Sequence, residues 1–113
     1  MRKVFFFFIL TLFSCKDFGN PVNIQDLAKY TFTDDIYPIF ADNCKNCHPA
    51  EYSTYDQILG SGHMIIGDAL SSELFIRIEL PDENPKNMPL GAGTLSVEQI
   101  ELIERWINDG ALR

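Results

Sequence analysis

The 113-residue chain has little cysteine, little base and no long apolar run, and each shortage removes a class of protein. Three cysteines, Cys15, Cys44 and Cys47, are too few for the disulfide framework that staples many small secreted domains. Nine Lys and Arg stand against sixteen Asp and Glu, a formal net charge of −7. A chain this acidic lacks the cations that neutralise phosphates, so no nucleic acid is expected as a partner. The longest apolar stretch, Val4 to Phe13, is closed early by Lys16 and Asp17. A membrane-spanning helix takes about 20 apolar residues, so this stretch is too short. No internal repeat, no low-complexity tract after the first residues and no βαβ alternation is present.

What is there begins with Arg2-Lys3, the apolar stretch, and then Leu12-Phe13-Ser14-Cys15. A basic start followed by about 7–15 apolar residues fits a secretory signal. The cleavage region resembles the bacterial lipobox, with Leu12 three residues before the cysteine and small Ser14 just before it. That resemblance implies a lipoprotein signal peptide over 1–14 and lipidation of Cys15. Phe13 is bulkier than the usual residue there, and an ordinary signal peptide with an incidental cysteine is the alternative. Cleavage would also remove Arg2 and Lys3, so the charge would move from −7 to −9. Such a field favours protein partners with a basic docking patch and mainly raises encounter rates; solubility alone is the plainer reading. Gly19, Asn20 and Pro21 suggest a tether over 15–33, which leaves one small domain at 34–113. The expected location is the cell envelope, lipid-anchored to a membrane, on the periplasmic face or the cell surface.

Within 34–113 the apolar spacing predicts an all-α fold. A first helix is expected from an Asp35 cap to about Cys44, with Pro38 in its first turn and Pro49 ending any continuation. Thr54 to Leu59, closed by Gly60, reads as a second short helix. A third starts at Ser71 or Ser72 and runs to Leu80, with Leu74, Phe75 and Ile78 on one face. Residues 81–95 are a loop of breakers with Met88-Pro89 in its middle. Ser96-Val97-Glu98-Gln99 is a capping box that opens a last helix, and Gly110 suits the left-handed position that stops it. Phe40 and Trp106 are the aromatics expected to pack against a cofactor or against the first helix.

Cys44-Lys45-Asn46-Cys47-His48 carries the chemistry. It is the CxxCH pattern of c-type haem attachment. Cysteines three residues apart lie about one helical turn from each other, within reach of the two vinyl groups on one haem edge. His48 is then held against the iron. In an oxidising compartment a free pair would tend to form a disulfide, so thioether bonds account for two retained thiols. A second axial ligand would come from Met88, His63 or Met64. Met88 is favoured because it lies 40 residues beyond His48 in a proline-fixed loop, an odd place for a merely hydrophobic side chain. His63 would give bis-His ligation, and Met64, followed by Ile65 and Ile66, reads as core. Arg77 and Arg105 are both candidates to neutralise the haem propionates, and the spacing selects neither. Two other chemistries compete. Cys44, Cys47, His48 and His63 could form a structural zinc site, or the cysteine pair could be a thiol–disulfide centre, which would want βαβ surroundings. A haem protein with a displaceable distal ligand, binding small molecules or peroxidase-like, is a further alternative. No acid–base His beside an Arg is visible in the sequence to favour it.

Taken in order, Cys44–His48, Met88-Pro89-Leu90-Gly91, Leu95–Ile100 and Trp106-Ile107-Asn108-Asp109-Gly110-Ala111 resemble a small class I cytochrome c, most of all the planctomycete-type domains. Ile66-Gly67-Asp68 stands where such domains often carry Pro-Gly-Asp, without the proline. The resemblance implies a cytochrome c-like fold of three to five short helices around one covalent haem c. It also implies that the methionine before the proline, here Met88, is the distal ligand, and that the domain transfers electrons and is not an enzyme.

Overall fold

The computed structural model describes residues 30–113. The expected signal, Cys15 and most of the expected tether lie outside the described residues. Five α-helices follow a single π-helical turn at Phe32–Ile36: α1 Tyr37–Asn43, α2 Pro49–Tyr52, α3 Tyr55–Gly60, α4 Glu73–Glu79 and α5 Val97–Asn108. No strand occurs among the described residues. The domain is therefore all-α, and no helix in it is long and apolar enough to cross a membrane.

The first helical stretch begins three residues before the expected Asp35. Thr31 caps it, its hydroxyl accepting from the Asp34 amide at 3.3 Å, while the Asp35 carboxylate accepts from the Thr31 amide at 2.8 Å. These two bonds satisfy amides that a helix start leaves orphaned. Asp35 is thus the reciprocal partner of the cap, not the cap itself. Pro49 also behaves differently from expectation. It opens α2 at the first helical position, where its missing N–H costs nothing.

α5 follows its sequence signals closely. Ser96 and Gln99 form both bonds of the capping box. At the other end Gly110 has φ +103°, and the amides of Gly110 and Ala111 return to the carbonyls of Ile107 and Trp106 at 3.2 and 2.8 Å. That double return is the Schellman closure, which disposes of two carbonyls the helix end would leave bare. Ser72, expected as a cap of α4, makes no cap bond. Its hydroxyl is fully buried, donating to Asp68 O at 2.7 Å and accepting from the Ile65 amide at 2.8 Å. It knots the preceding loop instead.

The core is an aromatic cluster. Trp106 is 0% exposed and packs on Phe32 and Phe40 with ring centroids 6.0 and 6.3 Å away. Its indole N–H donates to Leu112 O at 2.8 Å, and the Phe32 amide donates to the same oxygen at 2.8 Å. Tyr55 adds a bond to Ala111 O at 2.9 Å. The C-terminal tail therefore fastens the first turn, α3 and α5 together. A buried aromatic of this kind removes about 150–250 Å² from water, worth at most roughly 4–6 kcal/mol at about 25 cal/mol per Å² before entropy is set against it.

Candidate functional site

α1 ends in a tight turn that carries the cysteines. The amides of Cys44 and Lys45 both return to Phe40 O at 2.9 Å, and the His48 amide donates to Cys44 O at 2.9 Å. Asn43 steadies the exit, its side-chain amide donating to Ile39 O at 2.8 Å. Cys44 is half-buried, Cys47 is exposed, and they are not bonded to each other. Burial pushes the Cys44 thiol up to about 11.

This turn forms one wall of a cavity of about 630 Å³, within the range of roughly 300–1,000 Å³ typical of cofactor sites. Cys44, Cys47, His48 and Met88 all line it, so the four residues expected to hold a cofactor meet in one space. His63 and Arg77 line it as well. Met64 does not: it is 8% exposed, within the core. Arg105 lies elsewhere, at a shallow depression beside Tyr30, Glu98 and Glu101. Phe40 and Trp106 are both fully buried in the core and do not line the cavity.

The wall facing the cysteine turn is α4 and what hangs from it. Leu74 and Ile78 supply its apolar surface. The Leu74 amide donates to His63 O at 2.9 Å, which ties the His63 loop to the start of α4. At the other end the Met88 amide donates to Arg77 O at 3.2 Å, and the buried Asn87 side chain donates to Leu80 O. The last carbonyls of a helix lack partners within it. The Met88 loop supplies one for α4, and so the thioether is delivered to the cavity. The Met88-Pro89 bond is cis.

Three polar side chains form a chain along this wall. Glu73 accepts from Arg77 Nη2 at 2.8 Å and Nε at 3.3 Å, and its other oxygen lies 3.2 Å from His63 Nδ1. The Arg77 and His63 contacts hold the Glu73 carboxyl below the usual carboxylate range. A His and an Arg thus share the wall, a pairing that their separation in sequence hides.

Tyr52 is a lining residue that sequence reasoning missed. It stands four residues after His48, the spacing of one helical turn, and that was the available signal. Its ring meets His48 edge-on at 5.8 Å and Phe40 at 5.4 Å. Burial first, then the Cys44, Glu51 and Glu73 charges, push its hydroxyl up to about 12, so it stays a protonated donor at the cavity.

The zinc and dithiol alternatives gain little from this arrangement. Among the described residues no three His, Cys, Asp or Glu side chains converge so as to hold a metal ion. The βαβ surroundings of a thiol–disulfide centre are missing there too. Fold and site together define a small all-α domain in which two thiols and an imidazole share one cavity with a thioether. Comparison with protein-family models, curated proteins and solved structures returned no match for the chain.

Proposed function

We propose that this chain is a monohaem c-type cytochrome with a cytochrome c-like fold, exported and lipid-anchored through Cys15, that carries single electrons between redox partners. Cys44 and Cys47 would hold the haem through thioether bonds, and His48 and Met88 would be its axial ligands. One observation carries the reading: these four residues, chosen by motif and loop chemistry, line a single cavity of about 630 Å³. The donor set suits the group. A thioether opposite an imidazole raises the reduction potential over two nitrogen ligands. Leu74, Ile78 and Tyr52 provide the apolar surface a porphyrin face needs. When bound, the haem supplies a one-electron Fe(II)/Fe(III) couple. The chain's own part would be to attach it through Cys44 and Cys47 and to supply both iron ligands.

The experiment is expression with haem maturation, followed by a visible spectrum before and after Met88→His. The expected result is a covalent haem spectrum with a sulfur-to-iron band. The substitution should remove that band and lower the potential. Colourless wild-type protein would reject the haem, and an unchanged Met88→His spectrum would reject the ligand.

A second reading rests on His63. Its Nδ1 lies 3.2 Å from Glu73, and a histidine that ligates a metal commonly gives its other ring N–H to a carboxylate, a backbone carbonyl or a water. That contact supports bis-His ligation, or a displaceable distal site with His63 and Arg77 near it, as the second reading. CO identifies the displaceable site, whose spectrum it shifts; where CO changes nothing, the sulfur-to-iron band separates Met88 ligation from bis-His.

A further inference from the structure

We infer that Arg77 is a cofactor-binding residue: its guanidinium takes a haem carboxylate on the α4 wall of the cavity. The inference rests on the haem reading above and deepens it. The sequence left Arg77 and Arg105 equal, and the fold separates them. Arg77 lines the cavity and Arg105 does not.

The charge balance of the cavity favours a cation. Asp42 and Glu73 line it, and haem would bring two more carboxylates. Arg77 is the one Lys or Arg lining the cavity among the described residues. Lys45, inside the cysteine motif, is engaged elsewhere, with its ammonium 3.4 Å from the Tyr37 hydroxyl and 5.8 Å from the ring.

The guanidinium is also preset and incompletely used. It is half-buried, held by Glu73 through Nε and Nη2 and directed at Lys86 O through Nη1 at 3.5 Å. A guanidinium has five N–H groups in a rigid fork that matches a carboxylate. Three are engaged here, so one on each terminal nitrogen remains for a second carboxylate while Glu73 keeps its place. Because the Arg77 carbonyl holds the Met88 amide, the same residue would touch the cofactor's carboxylate edge and fasten the loop carrying the distal ligand.

The test compares matured holoprotein of the wild type, Arg77→Gln and Arg105→Gln. Glutamine keeps the backbone carbonyl, so the sulfur-to-iron band should persist in all three. Arg77→Gln should shift the propionate vibrations in the resonance Raman spectrum and lower the midpoint potential. The oxidised-to-reduced ratio at fixed ambient potential should change by roughly several-fold to tenfold, the effect of losing one unit charge beside the group. Arg105→Gln should match the wild type in both readouts. Unshifted propionate bands and an unchanged potential in Arg77→Gln, or the shifts appearing in Arg105→Gln, would overturn the inference while the haem reading stood. Should Arg77→Gln not mature, isotopic labelling of the arginines in the wild type tests the same contact. A propionate-to-guanidinium coupling assigned to Arg77 supports the inference, and assignment elsewhere overturns it. Wild-type protein that attaches no haem would instead defeat the underlying reading.

Discussion

Trp106 shows what one side chain contributes here. It is fully buried, touches Phe32 and Phe40, and spends its only polar group on Leu112 O. Trp106→Ala should cost about 3–5 kcal/mol, most of what a small domain has to lose at roughly 5–15 kcal/mol in total. Denaturant melts should find the variant unfolded or nearly so. Glu73 makes a pH prediction. Its folded pKa is depressed by Arg77 and His63. Its contribution is therefore fully present above the ordinary carboxylate pKa and is lost as pH falls through the lower folded value. The stability difference between wild type and Glu73→Gln should be present above the ordinary carboxylate range and close to zero in strong acid. A difference that persists undiminished in strong acid would contradict the pairing. Glu73 is solvent-exposed, so screening keeps this effect small.

Among the elements, the α4 C-terminus is the one on which the site depends. Asn87 and the Met88 amide supply partners to Leu80 O and Arg77 O. Asn87→Ala leaves a carbonyl without its partner and should cost about 1–3 kcal/mol. On the proposed ligation it should also weaken the sulfur-to-iron band before the fold is lost, which a thermal ramp followed in the visible region would detect. How much of this was legible depends on the range of the signals. α5 could be read from Ser96, Gln99 and Gly110 because caps and stops act within a few residues. Cys44, Cys47, His48 and Met88, which share the cavity, could be singled out because CxxCH is local and Met88 sits in an unusual loop. Long-range facts were hidden: Tyr52 on the cavity, Arg77 chosen over Arg105, His63 and Arg77 bridged by Glu73. Each depends on how α4 lies against the cysteine turn, and no periodicity encodes that. Ser72 misled because a helix-capping residue type was also the right size for a buried loop knot. Phe32 was hidden for a related reason: the core reaches back past the point where the helical spacing becomes regular.

At the scale of the whole molecule the sequence carries a net charge of −7. If it passes electrons to other proteins, bimolecular rates with a cationic reagent should fall as salt is added, and those with an anionic reagent should rise. Stopped-flow reduction across ionic strengths would measure both slopes, and equal slopes would argue against steering by charge. The fastening of α4 has one more consequence. The His63 carbonyl hangs from its first turn and the Met88 amide from its last, so a rigid movement of this seven-residue helix carries both side chains together. On the proposed ligation, the two are therefore not independent candidates for the distal ligand. Trading one for the other requires a loop to come undone from a helix that stays in place. Such an exchange would have to break the bonds from Met88 and Asn87 to Arg77 O and Leu80 O at one end, or the bond from the Leu74 amide to His63 O and the His63–Glu73 contact at the other.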